Sequence, residues 1–282
     1  MNLSVIIPAH NEESNIGKCL DELRSELRQQ EIPYEIVVVN DNSSDGTEEV
    51  VRRLMKFDSA IRIVNRTLPA GFGRAVRSGL EVVTGDVIVI YMADLSDHPA
   101  DVVAYYRKIG EGYECVFGSR FMKGSRVVNY PIVKLIVNRI VNYCIKWMFW
   151  SKFNDFTNAF KGYRREVLLD CGPYRASHFN ITIEMSLSAL IRRYNIAQIP
   201  IHWEGRTWGS SKLKMAQMGR RYLSVLIMLF FQRMLIQDDL IAERLSKNVA
   251  YHKQISDLEA RLEELERKVT ELQISSRETS EV

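Results

Sequence analysis

LSVIIPAHNEE, residues 3–13, is the stretch that decides the fold. A short, mostly β-branched run (Leu3–Pro8) ends in a proline, and the chain turns polar and acidic before a helical pattern begins at Glu13. The same order recurs. EIVVVN (Glu35–Asn40) runs into NDNSSDGT (Asn40–Thr47), and DVIVIYM (Asp86–Met92) runs into MADLSDHP (Met92–Pro99), with IRIVN (Ile61–Asn65) as a further strand. Apolar residues at helical spacing place helices at roughly Glu13–Gln29, Gly46–Met55 and Gly73–Val83. Strands alternating with helices of this length predict an α/β fold, a mostly parallel sheet with helices on both faces. Ligands in such sheets bind at the carboxyl ends of the strands. Three acidic, polar loops fall there. A Ser or Asp before a helix also serves as a plain N-cap, and Ser44 or Asp45 with Gly46 fits that reading too.

The rest of the chain limits the alternatives. At 282 residues, 46% hydrophobic and 26% charged, it is long and apolar enough for a full core and is not a disordered or collagen-like chain. Its four cysteines (Cys19, Cys115, Cys144, Cys171) form no CxxC or paired spacing, which excludes a disulfide scaffold and gives metal clusters no support. Gly71-Phe72-Gly73 follows the third strand and not the first, and Val76 holds the third glycine position, so a nicotinamide cofactor is not expected.

The formal net charge of +3 hides a polarised distribution. Cys115–Asn154 carries seven basic residues and no acid, and Gly205–Gln237 carries six, again with no acid. A modest total argues against nucleic acid, while two acid-free stretches argue for a local anionic partner. The uncharged run Tyr222–Gln232 has eleven residues, against the roughly 20 a bilayer span requires. The start, MNLSVIIP, has no basic n-region, so a cytoplasmic location without a spanning helix is expected. Helical segments at about 131–150 and 217–234 combine apolar faces, flanking Lys/Arg and, in the first, Trp147 and Trp150. They read either as helices lying on an anionic membrane surface or as helices buried against the sheet or a partner. Ile255, Leu258, Leu262, Leu265, Val269 and Leu272 repeat at 3-4 spacing, which predicts a C-terminal helix or coiled coil over 236–274 and a homo-oligomer through it. A single solvated amphipathic helix is the alternative. The Ser/Thr/Glu-rich end, 275–282, is expected to be disordered.

PAHNEE, NDNSSDGT, GFGRA (Gly71–Ala75), ADLSDHP, GSRF (Gly118–Phe121), DFTNAFKGYRREVL (Asp155–Leu168), the Glu184 helix and IPIHWEGRTWGSSKL (Ile199–Leu213), in that order, resemble the family 2 glycosyltransferases. Within these the likeness is greatest to the dolichol-phosphate mannose synthase and polyprenyl-phosphate sugar transferase group, and it covers about residues 1–235 as one glycosyltransferase domain. The resemblance implies a Rossmann-like nucleotide-diphospho-sugar transferase fold. It also implies inverting transfer of a sugar from a nucleoside-diphosphate sugar to a polyprenyl or dolichyl monophosphate at the inner face of a membrane, with Mg²⁺ or Mn²⁺. GDP-mannose is the first candidate donor and a UDP-sugar the second. By motif position, Pro8, His10, Glu12, Asp41 and Ala93 would line the nucleoside site. Asp94 and Ser96 would hold the metal and diphosphate, and Arg120, Arg206 and Lys212 the phosphates, with Asp155 and Glu184 as further site candidates.

This sequence departs from the family pattern at three places. Met92 stands where the acidic loop usually has its first Asp, Asn40-Asp41 keeps one carboxylate of a usual pair, and Ser96 stands where Gln is common, with Asp97 or His98 near enough in sequence to compensate. A hydroxyl acceptor calls for a general base near Met92. A lipid monophosphate, with a second pKa of about 6, is already largely anionic. Met92 therefore points to a phosphate acceptor. The alternatives are a soluble family 2 transferase with a polysaccharide or protein hydroxyl acceptor, and a catalytically silent nucleotide-sugar-binding scaffold.

Overall fold

The computed structural model describes residues 1–205, 215–247 and 261, with only the backbone of 215–218. The chain divides into two compact units, Met1–Leu235 and Ile236–Val282. In the second, a helix over 237–247 is described. The expected heptads at 255–272 and the 275–282 tail lie outside the described residues, as do Arg206 and Lys212.

The first unit is built on β1 (Leu3–Ala9), α1 (Glu13–Gln29), β2 (Tyr34–Asp41), α2 (Thr47–Met55), β3 (Ile61–Arg66), α3 (Phe72–Leu80), β4 (Val87–Ile90) and α4 (Pro99–Gly110). It continues with β5 (Cys115–Ser119), β6 (Arg126–Val128), α5 (Ile132–Met148), β7 (Lys161–Arg164), α6 (Arg165–Cys171), α7 (Ile181–Ile191), β8 (Ile196–Pro200), β9 (His202–Glu204) and α8 (Met215–Leu235). The seven-stranded sheet runs β3-β2-β1-β4-β7-β5-β8, and β6 pairs with β9 in a separate small ribbon. β1 pairs parallel with both β2 and β4, so the strand order reverses beside it, at the place where open sheets of this kind leave a crevice.

Strand periodicity sorts the two layers. Leu3, Val5 and Ile7 of β1 pack in the cluster that holds Ile16, Leu20, Leu23 and Leu27 of α1 and Val102 of α4. Ile6 points the other way, onto α3, where a Cβ on Gly79 would lie 2.5 Å from its Cγ2. That glycine sets how closely α3 lies on the sheet. Both faces of β1 are buried, as its unbroken apolar run requires.

Two differences from the sequence reading are instructive. The third helix ends at Leu80 and not at Val83, because the chain then turns so that Thr84 and Gly85 donate their N–H groups to Glu35. The sheet is parallel except for β7, which lies antiparallel between β4 and β5. KGYR, four residues with two cations and a glycine, carries no strand periodicity, and its place is fixed by its neighbours.

Candidate active site

The loops after β1 and β2 are stitched together. Asn11, at φ +55°, donates its N–H to Ser43 Oγ (3.0 Å) and accepts from Ser44 N through its side chain (2.8 Å). Glu12 N donates to Thr47 Oγ1 at 2.9 Å, and Asp45 accepts from Glu13 N and Thr47 N at 3.1 Å each. Asp45 therefore caps the region where α2 starts, one of the two roles open to it from sequence. Pro8 is buried at the end of β1, while His10 is exposed and its Nδ1 lies 2.8 Å from the carbonyl oxygen of Asp41.

Asp41 sits where these loops meet. Its carboxylate forms an ion pair with Arg66 at the end of β3 and accepts the N–H of Gly71 at 2.6 Å. A Cβ on Gly71 would stand 2.3 Å from the carbonyl oxygen of Ser177, so the close approach requires glycine there. Asp41 is thus the anchor of the Gly71–Gly73 turn. Arg66 gave no signal in the sequence, since a cation at a strand end belongs to no motif.

After β4, Asp94 and Ser96 form one unit. Asp94 Oδ1 accepts both the N–H (3.1 Å) and the hydroxyl (2.6 Å) of Ser96, around Leu95 at φ +61°. Ala93 is buried behind them. Asp97 folds back beneath the turn. Its Oδ2 accepts Met92 N at 3.2 Å, and its Oδ1 is buried without a hydrogen-bond partner among the described residues. Burial, reinforced by the charge of Asp94, pushes the Asp97 carboxyl well above the usual carboxylate range. His98 is exposed, its Nδ1 accepting Ala100 N at the start of α4, and it lines the same cavity as Asp94 and Asp97. Asp94 and Asp97 line a cavity of about 770 Å³ with Glu22, Glu26 and Glu204.

Whether these residues suit a divalent metal follows from the donor set. Among the described residues, no group of three His, Cys, Asp or Glu side chains is placed to enclose an ion. A small, hard cation that retains waters and binds substrate phosphates needs only one or two protein carboxylates. Asp94, oriented by Ser96 and with the unpartnered oxygen of Asp97 close by in the chain, fits a site of that open kind.

Arg120 lies at the end of β5 in a buried, bidentate ion pair. Nε is 2.8 Å from Asp155 Oδ2 and Nη2 is 2.7 Å from Oδ1, with Asp155 fully buried and the Arg120 side chain 8% exposed. The guanidinium also stands 5.4–5.7 Å from the ring centroids of Phe121, Tyr130 and Trp203. Burial disfavours its charge, but Asp155 outweighs that and holds the guanidinium above its ordinary value. Glu184, the other acid singled out, receives the N–H groups of Arg175 and Ala176 at 2.9 and 2.8 Å. Both acids hold loops in place.

Lys161, hidden in the apolar NAFKGY segment, is 1% exposed and donates to the main-chain carbonyls of Phe156 and Asn158. Burial pushes its ammonium down to about 7, against the opposing pull of Asp155. An unfolded lysine titrates near 10.4, so between about pH 7 and 10 the unfolded chain holds a proton the folded one has released, and stability rises with pH across that window. The stability of the wild type relative to Lys161→Met is expected to grow by up to about 1.4 kcal/mol per pH unit there, measured by urea melts at several pH values. A difference that stays flat would contradict this.

α5 is fastened to the same region by polar groups. Asn142 donates to Thr157 Oγ1 (3.0 Å) and accepts Phe156 N (2.6 Å), while Asn138 donates to Tyr130 at 2.5 Å. Only Asn142 and Ile145 of this helix are buried. Ile132, Ile136, Ile140, Tyr143 and Trp147 are exposed, Trp147 by 81%. The outer face of α5 is not covered within this chain's described residues. No helix among those residues is long and apolar enough to cross a membrane.

Known proteins resemble this chain in sequence, and solved structures resemble it in fold. The chain is 29% identical over 219 residues to the dolichol-phosphate mannosyltransferase of Pyrococcus furiosus, covering 76% of this chain and 60% of that protein. It is 27% identical over 215 residues to the polyprenol monophosphomannose synthase of Mycolicibacterium smegmatis, covering 74% of this chain and 80% of that one. Among solved structures, glucosyl-3-phosphoglycerate synthase of Mycobacterium tuberculosis, in complex with Mn²⁺, uridine diphosphate and glucosyl-3-phosphoglycerate, superposes with a TM-score of 0.61. That likeness is at 22% identity over 82% of this chain and 79% of the other, and it concerns the fold. The family model described as glycosyl transferase family 2 matches residues 4–172, more than half of the chain, and the chain belongs to that family.

Proposed function

We propose that this glycosyltransferase moves a sugar, mannose first, from a nucleoside diphosphate to a polyprenyl or dolichyl monophosphate at a membrane surface. The observation that carries the acceptor class is α5. Its inner face is tied through Asn138 and Asn142 to the loop that holds Asp155 and Arg120, and its outer face is a row of exposed apolar side chains ending in Trp147. A lipid substrate meets an apolar surface and a phosphate-binding region on adjoining elements. The two relatives named for lipid-phosphate mannose synthesis support the same reading.

In this reading Pro8, His10, Glu12, Asp41 and Ala93 receive the nucleoside, with GDP-mannose preferred to UDP-sugars. Asp94 and Ser96 hold Mg²⁺ or Mn²⁺ with the diphosphate, and the metal, when bound, offsets charge on the departing diphosphate. Arg120 is kept charged by Asp155 near the acceptor, and Arg206 and Lys212 supply further cations to the phosphates. Met92 supplies no carboxylate at its own position after β4, and an anionic phosphate needs no base there. Residues 1–235 form the catalytic domain, and 236–274 assemble copies of the chain on the inner face of the membrane.

The test is transfer of labelled sugar from GDP-mannose, with Mn²⁺, into an organic-extractable product when polyprenyl phosphate is supplied. Label found only in water-soluble product would overturn the acceptor, and donor binding with no turnover against any lipid phosphate would favour a silent scaffold.

A further inference from the structure

A second cavity, of about 440 Å³, lies on the α3 side of the sheet between α3, the loop before α7, and α8. None of Pro8, His10, Glu12, Asp41, Asp94 or Ser96 lines it. It is separated from Asp41 by the Gly71 turn, where a Cβ would stand 3.2 Å from Arg74 Nη1 and 3.3 Å from His178 Cε1. Its wall is fixed. Asn180 donates to the carbonyl of Arg221 at 3.3 Å, and Phe72 stacks on Phe179 with ring centroids 4.2 Å apart.

Three arginines, Arg74, Arg175 and Arg221, line this cavity with His178. Glu184 is the one acid among the described lining residues, and both its oxygens already accept main-chain N–H groups. Three arginines against this one carboxylate leave the lining with an excess of positive charge. His178 registers it: burial first, then Arg221 and Arg74, hold its imidazole below the usual value against an opposing pull from Asp41. Such a constellation suits a phosphate, which arginine meets with paired, charge-assisted hydrogen bonds.

The source of that phosphate is set by α8. Ser224 and Met228 line the cavity, and Leu223 and Ile227, their neighbours on the helix, are exposed. With Phe231 and Met234, also exposed, they make one apolar stripe at helical spacing. A ligand whose phosphate sits between Arg74 and Arg221 has hydrocarbon-compatible surface directly beside it. We propose that this cavity is a headgroup site for an anionic membrane phospholipid, separate from the sugar-donor site, whose acyl chains lie along α8.

The test is flotation of the full chain with phosphatidylcholine vesicles, with and without about 30 mol% phosphatidylglycerol. One arginine close to an anionic bilayer accounts for about fivefold in binding. The exposed Arg220 next along α8 is the control for that diffuse effect. Arg220→Ala is expected to lose no more than about fivefold, and Arg74→Ala with Arg221→Ala well over about 25-fold, beyond two such charges. The Arg74→Lys, Arg221→Lys pair keeps the charge, controls for folding and should retain only part of the binding. Losses no larger than charge counting predicts would overturn the site. A thermal shift with soluble glycerol 3-phosphate that vanishes in the alanine pair, with vesicle binding unchanged, would overturn the lipid source. No sugar donor enters the assay, so its outcome is independent of which acceptor the enzyme uses.

Discussion

Asp94→Ala is expected to lower sugar transfer by about 10²- to 10³-fold or more, with little change in melting temperature. The magnitude follows from what replaces the usual arrangement at the end of β4. Met92 supplies no carboxylate, and Asp97 is turned beneath the loop to hold Met92 N. The half-buried Asp94 is then the carboxylate on which an open, phosphate-completed metal site would rest. Ser96→Ala should cost less, about 10- to 100-fold, because the hydroxyl acts through the 2.6 Å bond that orients Asp94. Both variants are to be assayed across a Mn²⁺ titration. A Ser96→Ala defect relieved by raised Mn²⁺ fits a weakened metal site. Asp94→Ala retaining activity within about threefold of wild type would remove Asp94 from the reaction.

Asp155→Ala is expected to destabilise the domain by about 3–5 kcal/mol, because it leaves the Arg120 guanidinium buried without its counter-charge. For a domain of this size that lowers the melting temperature by roughly 10 °C. Three hydrogen bonds to Arg120 (N, Nε and Nη2) end on this one carboxylate, so the 119–121 turn would loosen with it. The paired replacement Arg120→Met with Asp155→Leu should recover much of the stability and none of the activity, since it removes both charges together. If Asp155→Ala melts within a few degrees of the wild type, the pair is not the support of this end of the sheet. Breaking the pair should also slow transfer at saturating donor, because the acceptor-side cation is no longer fixed.

These two residues show where sequence reading stops. Asp94 was legible because its loop follows a strand whose β-branched run announces itself. Asp155 and Arg120 were each legible as motif members, but their partnership, across 35 residues of chain, was not. The burial of Lys161 was equally hidden, since a lone lysine in a mixed segment has no periodicity to assign it to a face. The heptads of the C-terminal segment and the SKL cations were visible in sequence and lie outside the described residues.

The sequence by itself determined the alternation of strands and helices, the acidic loops at the strand ends and the apolar faces of α5 and α8. These features are local: two-residue and 3.6-residue periods and caps are written in neighbouring residues. Only the tertiary structure decided which charges meet. It gave Asp41 to Arg66 and Gly71, gave Arg120 to Asp155, and brought Arg74 and Arg221 to one cavity with little opposing charge. Those outcomes depend on how the sheet order and the loop paths bring remote segments within a few ångströms. Desolvation then makes each pairing, or its absence, matter energetically.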